Sequence, residues 1–234
     1  MKKVAILQSN YIPWKGYFDL INFVDEFIFY DEMQYTKRDW RNRNKIKTPG
    51  GSIWLTIPVY NKGNVQNFQK IKDTLISDSS WANKHWENII QNYNKAPFFN
   101  EYREIIKNLY FEKEEKYLCE VNYKFIRTIN NILGIKTKLS FSTDYKLIDG
   151  KTEKLIDLIK QTNGTEYISG PAAKNYIDET LFANANIKLS WMDYSNYMEY
   201  NQIYPPFDHN VSIIDLIFNC GKDSMKYMKS FKNI

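Results

Sequence analysis

Residues 4–30 read Val4-Ala5-Ile6-Leu7-Gln8-Ser9-Asn10-Tyr11-Ile12-Pro13-Trp14-Lys15-Gly16-Tyr17-Phe18-Asp19-Leu20-Ile21-Asn22-Phe23-Val24-Asp25-Glu26-Phe27-Ile28-Phe29-Tyr30, and this stretch decides the fold class. Val4–Leu7 is a short apolar run bounded by polar residues, which predicts a buried strand. Tyr17, Leu20, Ile21 and Val24 stand at i, i+3, i+4 and i+7, the spacing of one helix face, so Gly16–Val24 is expected to be helical. Phe27–Tyr30 is a second strand-like run. Strand, helix and strand within thirty residues make a βαβ unit, whose two strands run parallel. The expected fold is therefore α/β, with an open, mainly parallel sheet and flanking helices.

The same alternation returns late in the chain. Lys138–Phe141, Glu166–Ser169 and Ile187–Met192 read as strands, Thr152–Gln161 as a helix, and Ser212–Asn219 as a last helix closed by Gly221. Between the two α/β stretches the period stays helical. Trp86, Ile89, Ile90 and Tyr93 form one face, Tyr102, Ile105, Ile106 and Leu109 a second, and Leu118, Val121, Phe125, Ile129 and Ile132 a third. Residues 80–134 are thus expected to be a helical insert, with Gly134 as the C-cap. Ile53–Val59 and Ile71–Ile76 read as strands joined through the turn residues Asn61-Lys62-Gly63-Asn64, which predicts a hairpin. With no internal repeat and no Pro/Ser-rich linker, residues 1–234 are expected to form a single domain carrying that insert.

Composition excludes several classes. The chain has 234 residues, 43% hydrophobic and 25% charged, with a net charge of +5. Disordered chains need fewer apolar residues and a larger charge imbalance. No run approaches the roughly 20 apolar residues of a membrane span. The apolar stretch after Met1-Lys2-Lys3 is only Val4 to Leu7, too short for the core of a signal peptide. Cys119 and Cys220 lie far apart and neither belongs to a CxxC pair, so neither a disulfide framework nor a zinc site is expected. The expectation is a cytoplasmic protein without a metal or a membrane partner.

Charge is concentrated in one place. Between Gln34 and Lys47 lie Lys37, Arg38, Arg41, Arg43, Lys45 and Lys47, opposed only by Asp39, a surplus equal to that of the whole chain. Tyr35 and Trp40 are interleaved with these cations. Arginine forks and aromatic faces together suit a ligand that combines phosphate with a stackable base or sugar. Position adds to composition. In open parallel sheets, ligands bind beyond the carboxyl ends of the strands. The segments after the first two strands should emerge at that edge, bringing Gln8, Asn10, Tyr11, Trp14, Lys15, Asp31 and Gln34 toward the basic loop with its Arg38, Arg43 and Asn44.

These residues also carry a resemblance. Residues Ala5 to Asp19 and Tyr30 to Asn44 resemble the opening blocks of the WbqC-like family. Trp54-Leu55-Thr56-Ile57-Pro58-Val59, His85-Trp86, Tyr167-Ile168-Ser169-Gly170 and Ser212-Ile213-Ile214-Asp215-Leu216-Ile217-Phe218-Asn219 continue the likeness over nearly the whole chain. The resemblance implies a cytoplasmic step of surface-polysaccharide (O-antigen) biosynthesis on a nucleotide-linked amino sugar, with N-acyl or aminoacyl transfer as the reaction. A fold-level likeness to nucleotidylyltransferases of the pantothenate-synthetase type rests on Trp14-Lys15-Gly16-Tyr17, which stands where those enzymes carry His-x-Gly-His. Both histidines are aromatic here, so nucleotide binding without adenylyl transfer is what that likeness implies.

A second constellation lies near the C-terminus, where Pro205-Pro206-Phe207-Asp208-His209-Asn210 leads into the last helix. Ser212 as N-cap and Asp215 at N3 form the pattern of a capping box. A histidine beside a helix N-terminus is held neutral, ready to accept a proton. His209 is therefore the expected general base toward the sugar amine, with Asp31 or Gln34 orienting that amine. Arg38 and Arg43 would fork the diphosphate and Tyr35 or Trp40 would stack. The donor could be an acyl-CoA, an aminoacyl adenylate or an aminoacyl-tRNA, and the sequence names no cofactor. A non-catalytic nucleotide-sugar binding protein and an RNA-binding module are the alternatives. A surplus of +5 is small for the latter, so nucleic acid is not the expected partner.

Overall fold

The structure, a computed structural model, describes residues 1–60 and 68–231. Strand β1 (Lys3–Leu7) leads into helix α1 (Lys15–Phe23) and strand β2 (Glu26–Phe29), the expected βαβ unit. Strands β3 (Arg43–Thr48) and β4 (Gly51–Thr56) form a separate antiparallel hairpin. Helices α2 (Trp81–Tyr93), α3 (Phe99–Phe111) and α4 (Leu118–Leu133) follow, and Gly134 closes α4 at φ +71°. The chain then returns through β5 (Lys138–Phe141), α5 (Thr152–Gln161), β6 (Glu166–Ser169), α6 (Glu179–Asn184), β7 (Lys188–Trp191) and α7 (Ile213–Cys220).

The main sheet has the order β5-β2-β1-β6-β7, and every neighbouring pair is parallel. Both faces are covered, as an all-parallel sheet requires. Ala5, Phe27 and Phe29 face a cluster containing Phe18 and Ile21 of α1, Phe125 and Ile129 of α4, and Ile214 and Phe218 of α7. Val4, Ile6 and Ile28 face the opposite cluster, built from Leu155 and Ile159 of α5 and Phe182 of α6. The order reverses between β1 and β6, since the chain winds one way from β1 to β2 and β5 and the other way to β6 and β7.

Three local expectations are corrected. The basic segment is not a loop throughout, because Arg43–Thr48 is strand β3. The strand expected at Ile53–Val59 lies at Gly51–Thr56 and pairs with β3, with Lys45 opposite Trp54. Ile71–Asp73 is a single 3-10 turn, and among the described residues the expected hairpin is reduced to a bridge between Val59 and Ile76, with Tyr60 N–H donating to Leu75 O at 2.9 Å and Ser77 N–H to Pro58 O at 3.0 Å. The turn assigned to Asn61–Asn64 lies outside the described residues.

The amino edge of the sheet carries a buried ion cluster. Glu26, fully buried, accepts from Lys2 Nζ at 2.7 Å, Lys138 Nζ at 2.9 Å, Tyr145 OH at 2.6 Å and Ser140 Oγ at 2.8 Å. Burial alone would raise its pKa, but these donors outweigh it and bring it down to about 2. A carboxylate held below its unfolded value stabilises the fold above the unfolded pKa, about 4.5, and that contribution disappears as pH falls toward 2. The expected outcome is that Glu26→Gln unfolds more easily at pH 7 and loses part of the acid-side fall in stability, as read from denaturation midpoints at pH 7 and pH 3.

Candidate functional site at the carboxyl edge

Three segments meet beyond the carboxyl ends of β1 and β2: residues 8–14, residues 31–44 and the loop 205–210. Backbone bonds tie them together. Tyr11 N–H donates to Trp40 O at 3.1 Å, Ile213 N–H to Pro13 O at 2.9 Å and Ser212 N–H to Lys45 O at 2.9 Å. The Asn44 amide donates to Tyr11 O and Ile12 O at 3.2 and 2.9 Å, holding Ile12 at φ +33°, a strained value for a β-branched residue. A hollow of about 260 Å³ results, lined by Asn10, Pro13, Trp14, Trp40, Asn44 and Asn210.

The loop 205–210 is clamped from three sides. Lys47, whose stem is buried, donates from Nζ to Pro206 O at 2.5 Å. Gln202 gives its amide to Asp208 O at 2.9 Å and accepts from Asp208 N–H at 2.8 Å. Ser52 Oγ of β4 donates to the Asp208 carboxylate at 3.0 Å. His209 stacks edge-on to Phe207 at 4.6 Å, and among the described residues its Nδ1 has no hydrogen-bond partner. Burial first, and the Lys15 charge second, lower the imidazole pKa below 6.5, so the ring is neutral at pH 7. The direction is that expected from a helix N-terminus, but the causes differ.

Asp215 departs from the capping-box expectation. Ser212 Oγ accepts from Ile214 N–H at 3.4 Å, yet the Asp215 carboxylate turns inward and accepts from Tyr93 OH and Tyr200 OH, both at 2.7 Å, and from Gln202 Nε2 at 3.0 Å. This network fixes Tyr200, which forms one wall around Lys15.

Lys15 is only 3% exposed. Its Nζ donates to Met198 O at 3.0 Å and lies over the rings of Tyr197, Tyr200 and Phe207 at 4.9, 5.3 and 5.9 Å. Burial lowers its pKa to about 8, and the charges of Asp19 and Glu199 counter this only in part. Below about pH 8 the fold bears the cost of a buried ammonium. Between pH 8 and about 10.5 the unfolded chain binds more protons, so this group makes stability rise with pH. Lys15→Met is expected to remove that rise, so that the stability difference between the two proteins narrows from pH 8 to pH 10 in chemical denaturation.

The remaining candidates divide. Asp31 is buried and accepts Ser9 N–H at 2.8 Å, pinning the segment after β1 to that after β2. Gln34 is exposed and bridges to Lys70. Among the described residues no hydrogen bond joins either of them to the loop of His209. Tyr11 is 0% exposed and spends its hydroxyl on His85 Nδ1 at 2.9 Å and Tyr110 OH at 2.8 Å. Tyr35 is also buried. Arg38 is exposed, at φ +59°, and its carbonyl accepts from Arg43. Arg43 lies 4.0 Å over Trp54, with Lys45 at 5.2 Å, and Trp40 stands 5.2 Å from Trp54. Trp40 and Trp54 are 40% and 41% exposed, so the hairpin presents an open basic-aromatic face beside the hollow.

Arg41, which the sequence offers only as one charge among six, turns inward as Lys47 does. Its guanidinium donates to Gln8 Oε1 at 3.1 Å and to Asn10 Oδ1. Nothing in the alternation of the segment distinguishes it from Arg38 or Arg43. The buried network of Tyr11, His85 and Tyr110 was equally unforeseen, because Tyr11 lies 74 and 99 residues from its two partners.

The fold and this edge define an α/β protein with a polar-aromatic hollow at the carboxyl ends of its first strands. The chain belongs to the WbqC-like protein family, whose model matches residues 8–227. It is 50% identical over 229 residues, 98% of each chain, to a protein of Mycobacterium tuberculosis (strain ATCC 25618 / H37Rv) described as "Uncharacterized protein Rv1507c". No solved structure gives a significant match. Among the described residues no helix is long and apolar enough to cross a membrane, and no group of three or more metal-ligating side chains stands together.

Proposed function

We propose that the protein is an enzyme of surface-polysaccharide biosynthesis that transfers an acyl or aminoacyl group to the amine of a nucleotide-linked amino sugar. The observation that carries this reading is the hollow in which Asn10, Trp14, Trp40, Asn44 and Asn210 come together from three distant segments. Its size suits one sugar ring rather than a whole nucleotide sugar. Indole faces pack against the apolar face of a pyranose, and the side-chain amides of Asn10 and Asn210 would bond its hydroxyls while Asn44, whose amide is spent on Tyr11 O and Ile12 O, shapes the wall. The nucleotide would extend over Trp40 and Trp54, with Lys37, Arg38, Arg43 and Lys45 around its diphosphate. His209, neutral and one residue from Asn210, would take the proton that the amine loses. Asp31 acts indirectly in this reading, by holding the segments that carry the hollow.

A thermal-shift panel tests the binding half. A ligand at about 100 times its Kd adds roughly 2.7 kcal/mol, on the order of 5–10 °C for a domain of this size. The expected result is a shift with one class of nucleotide-linked amino sugar, reduced by Trp40→Ala, which should weaken binding about tenfold or more. A shift without product when donors are supplied would make the protein a binder only. A salt-sensitive shift with short RNA and none with nucleotide sugars would overturn the reading.

A further inference from the structure

A larger cavity, about 740 Å³, lies where the strand order reverses. Its origin is in the sheet. β1 pairs with β2 as far as Leu7 opposite Phe29, but with β6 only at Lys3–Glu166 and Val4–Tyr167. Past Val4 the two strands diverge. Ile6, Leu7 and Gln8 form one wall of the opening, and Ser169 and Gly170 the other. This is the crevice at a topological switch point, where open parallel sheets hold their ligands. Its floor is apolar and aromatic, with Tyr30, Leu155 and Tyr167. Its rim carries Lys151 and Lys154, and among the described residues neither forms an ion pair. The rim carboxylates are Asp149 and Glu32, and Glu32 is already bound by Lys70 and Lys72 at 2.5 and 2.6 Å. An apolar slot edged by Lys151 and Lys154, with Asp149 the one rim carboxylate not already held by a lysine among the described residues, fits a flat body with an anionic group, the form of a nucleoside monophosphate.

One side chain is hydrogen-bonded to the walls of both the crevice and the smaller hollow. Gln8 lines the crevice, Asn10 lines the hollow, and Arg41 donates to both. We infer that the crevice is a second ligand site, which takes the nucleoside monophosphate end of an acyl adenylate type of donor, with Arg41 standing between donor and acceptor. This rests on the transfer reading above. The step balances without a redox partner. The sugar amine attacks the donor's acyl carbonyl, and a C–N bond forms. The bond from that carbonyl to the phosphate oxygen breaks, the phosphate leaves with the electron pair, and the amine's proton passes to His209. Amide and nucleoside monophosphate are the products. Lys151 and Lys154 at the rim would receive the charge that develops on the leaving phosphate, and Arg41, ion-paired with Asp39 at 3.7 Å, holds Gln8 and Asn10 between the two ligands.

The test uses full-length protein with AMP, GMP, CMP and UMP, each without acceptor, and separately with the nucleotide-linked amino sugar. Ala172 lines the crevice at an exposed position, so Ala172→Trp fills the opening without disturbing the core. The expected result is a thermal shift of the wild type with at least one monophosphate, lost in Ala172→Trp but kept in Trp40→Ala, whereas the nucleotide-sugar shift is reduced in Trp40→Ala and kept in full in Ala172→Trp. A nucleotide-sugar shift with no monophosphate shift would overturn the second site and leave the transfer reading standing. A monophosphate shift governed by Ala172, with no nucleotide-sugar shift, would keep the crevice and overturn the transfer reading. Loss of both shifts in Ala172→Trp would mean one ligand spans both cavities and would overturn the inference.

Discussion

His209→Ala is expected to lower kcat by about 10²–10⁴-fold while leaving the KM for the nucleotide-linked sugar nearly unchanged. The ring is held by Phe207 at 4.6 Å and by a loop clamped to Lys47, Ser52 and Gln202, so removing the imidazole should not release the loop. A general base is active when neutral, and this one has its pKa lowered below 6.5 by burial and by the Lys15 charge. The wild-type rate should therefore rise with pH through a step below 6.5, and the variant should lack that step. A variant with raised KM and unchanged kcat would assign the ring to binding instead.

Asp215→Ala is expected to cause the largest loss of stability, about 3–5 kcal/mol. The substitution leaves Tyr93 OH, Tyr200 OH and Gln202 Nε2 without their common acceptor inside the protein. At this chain length such a loss lowers Tm by on the order of 10 °C. Asp215→Asn, which keeps the shape and one carbonyl acceptor, should cost less. Tyr200 and Gln202 also hold the surroundings of Lys15 and the 205–210 loop, so any surviving Asp215→Ala protein should bind nucleotide sugar poorly. Denaturant midpoints for the two variants check the first part, and thermal shifts the second. Equal stability of Asp215→Ala and wild type would contradict the role given to the network.

Most of the sheet was legible because its strands are short apolar runs between helix-periodic segments. Val4–Leu7, Phe27–Tyr30 and Lys138–Phe141 differ from the observed strands by at most a residue at either end. Strand β3 was missed for a physical reason. In Arg43-Asn44-Lys45-Ile46-Lys47-Thr48 only Ile46 is apolar, since its own face is completed by the buried Asn44 amide and the opposite face buries the stem of Lys47. Its charges made it read as loop. The convergence of residues 8–14 with the basic segment could be argued from sheet topology. Contact with the 205–210 loop could not, because it depends on backbone bonds such as Ile213 N–H to Pro13 O between segments about two hundred residues apart. Asp215 was read as a local cap because Ser212 stands three residues before it, but tertiary donors from Tyr93 and Tyr200 outcompete that arrangement. The crevice depends on where β1 and β6 stop pairing, and a register is not written in either strand alone.

The most direct test of the central claim is a crystal structure of the protein saturated with a nucleotide-linked amino sugar. The account predicts density for the sugar ring in the hollow between Trp14, Trp40 and Asn210, with its amine toward His209 and its nucleotide over Trp40 and Trp54. A sugar bound elsewhere, with that hollow unfilled, would contradict it.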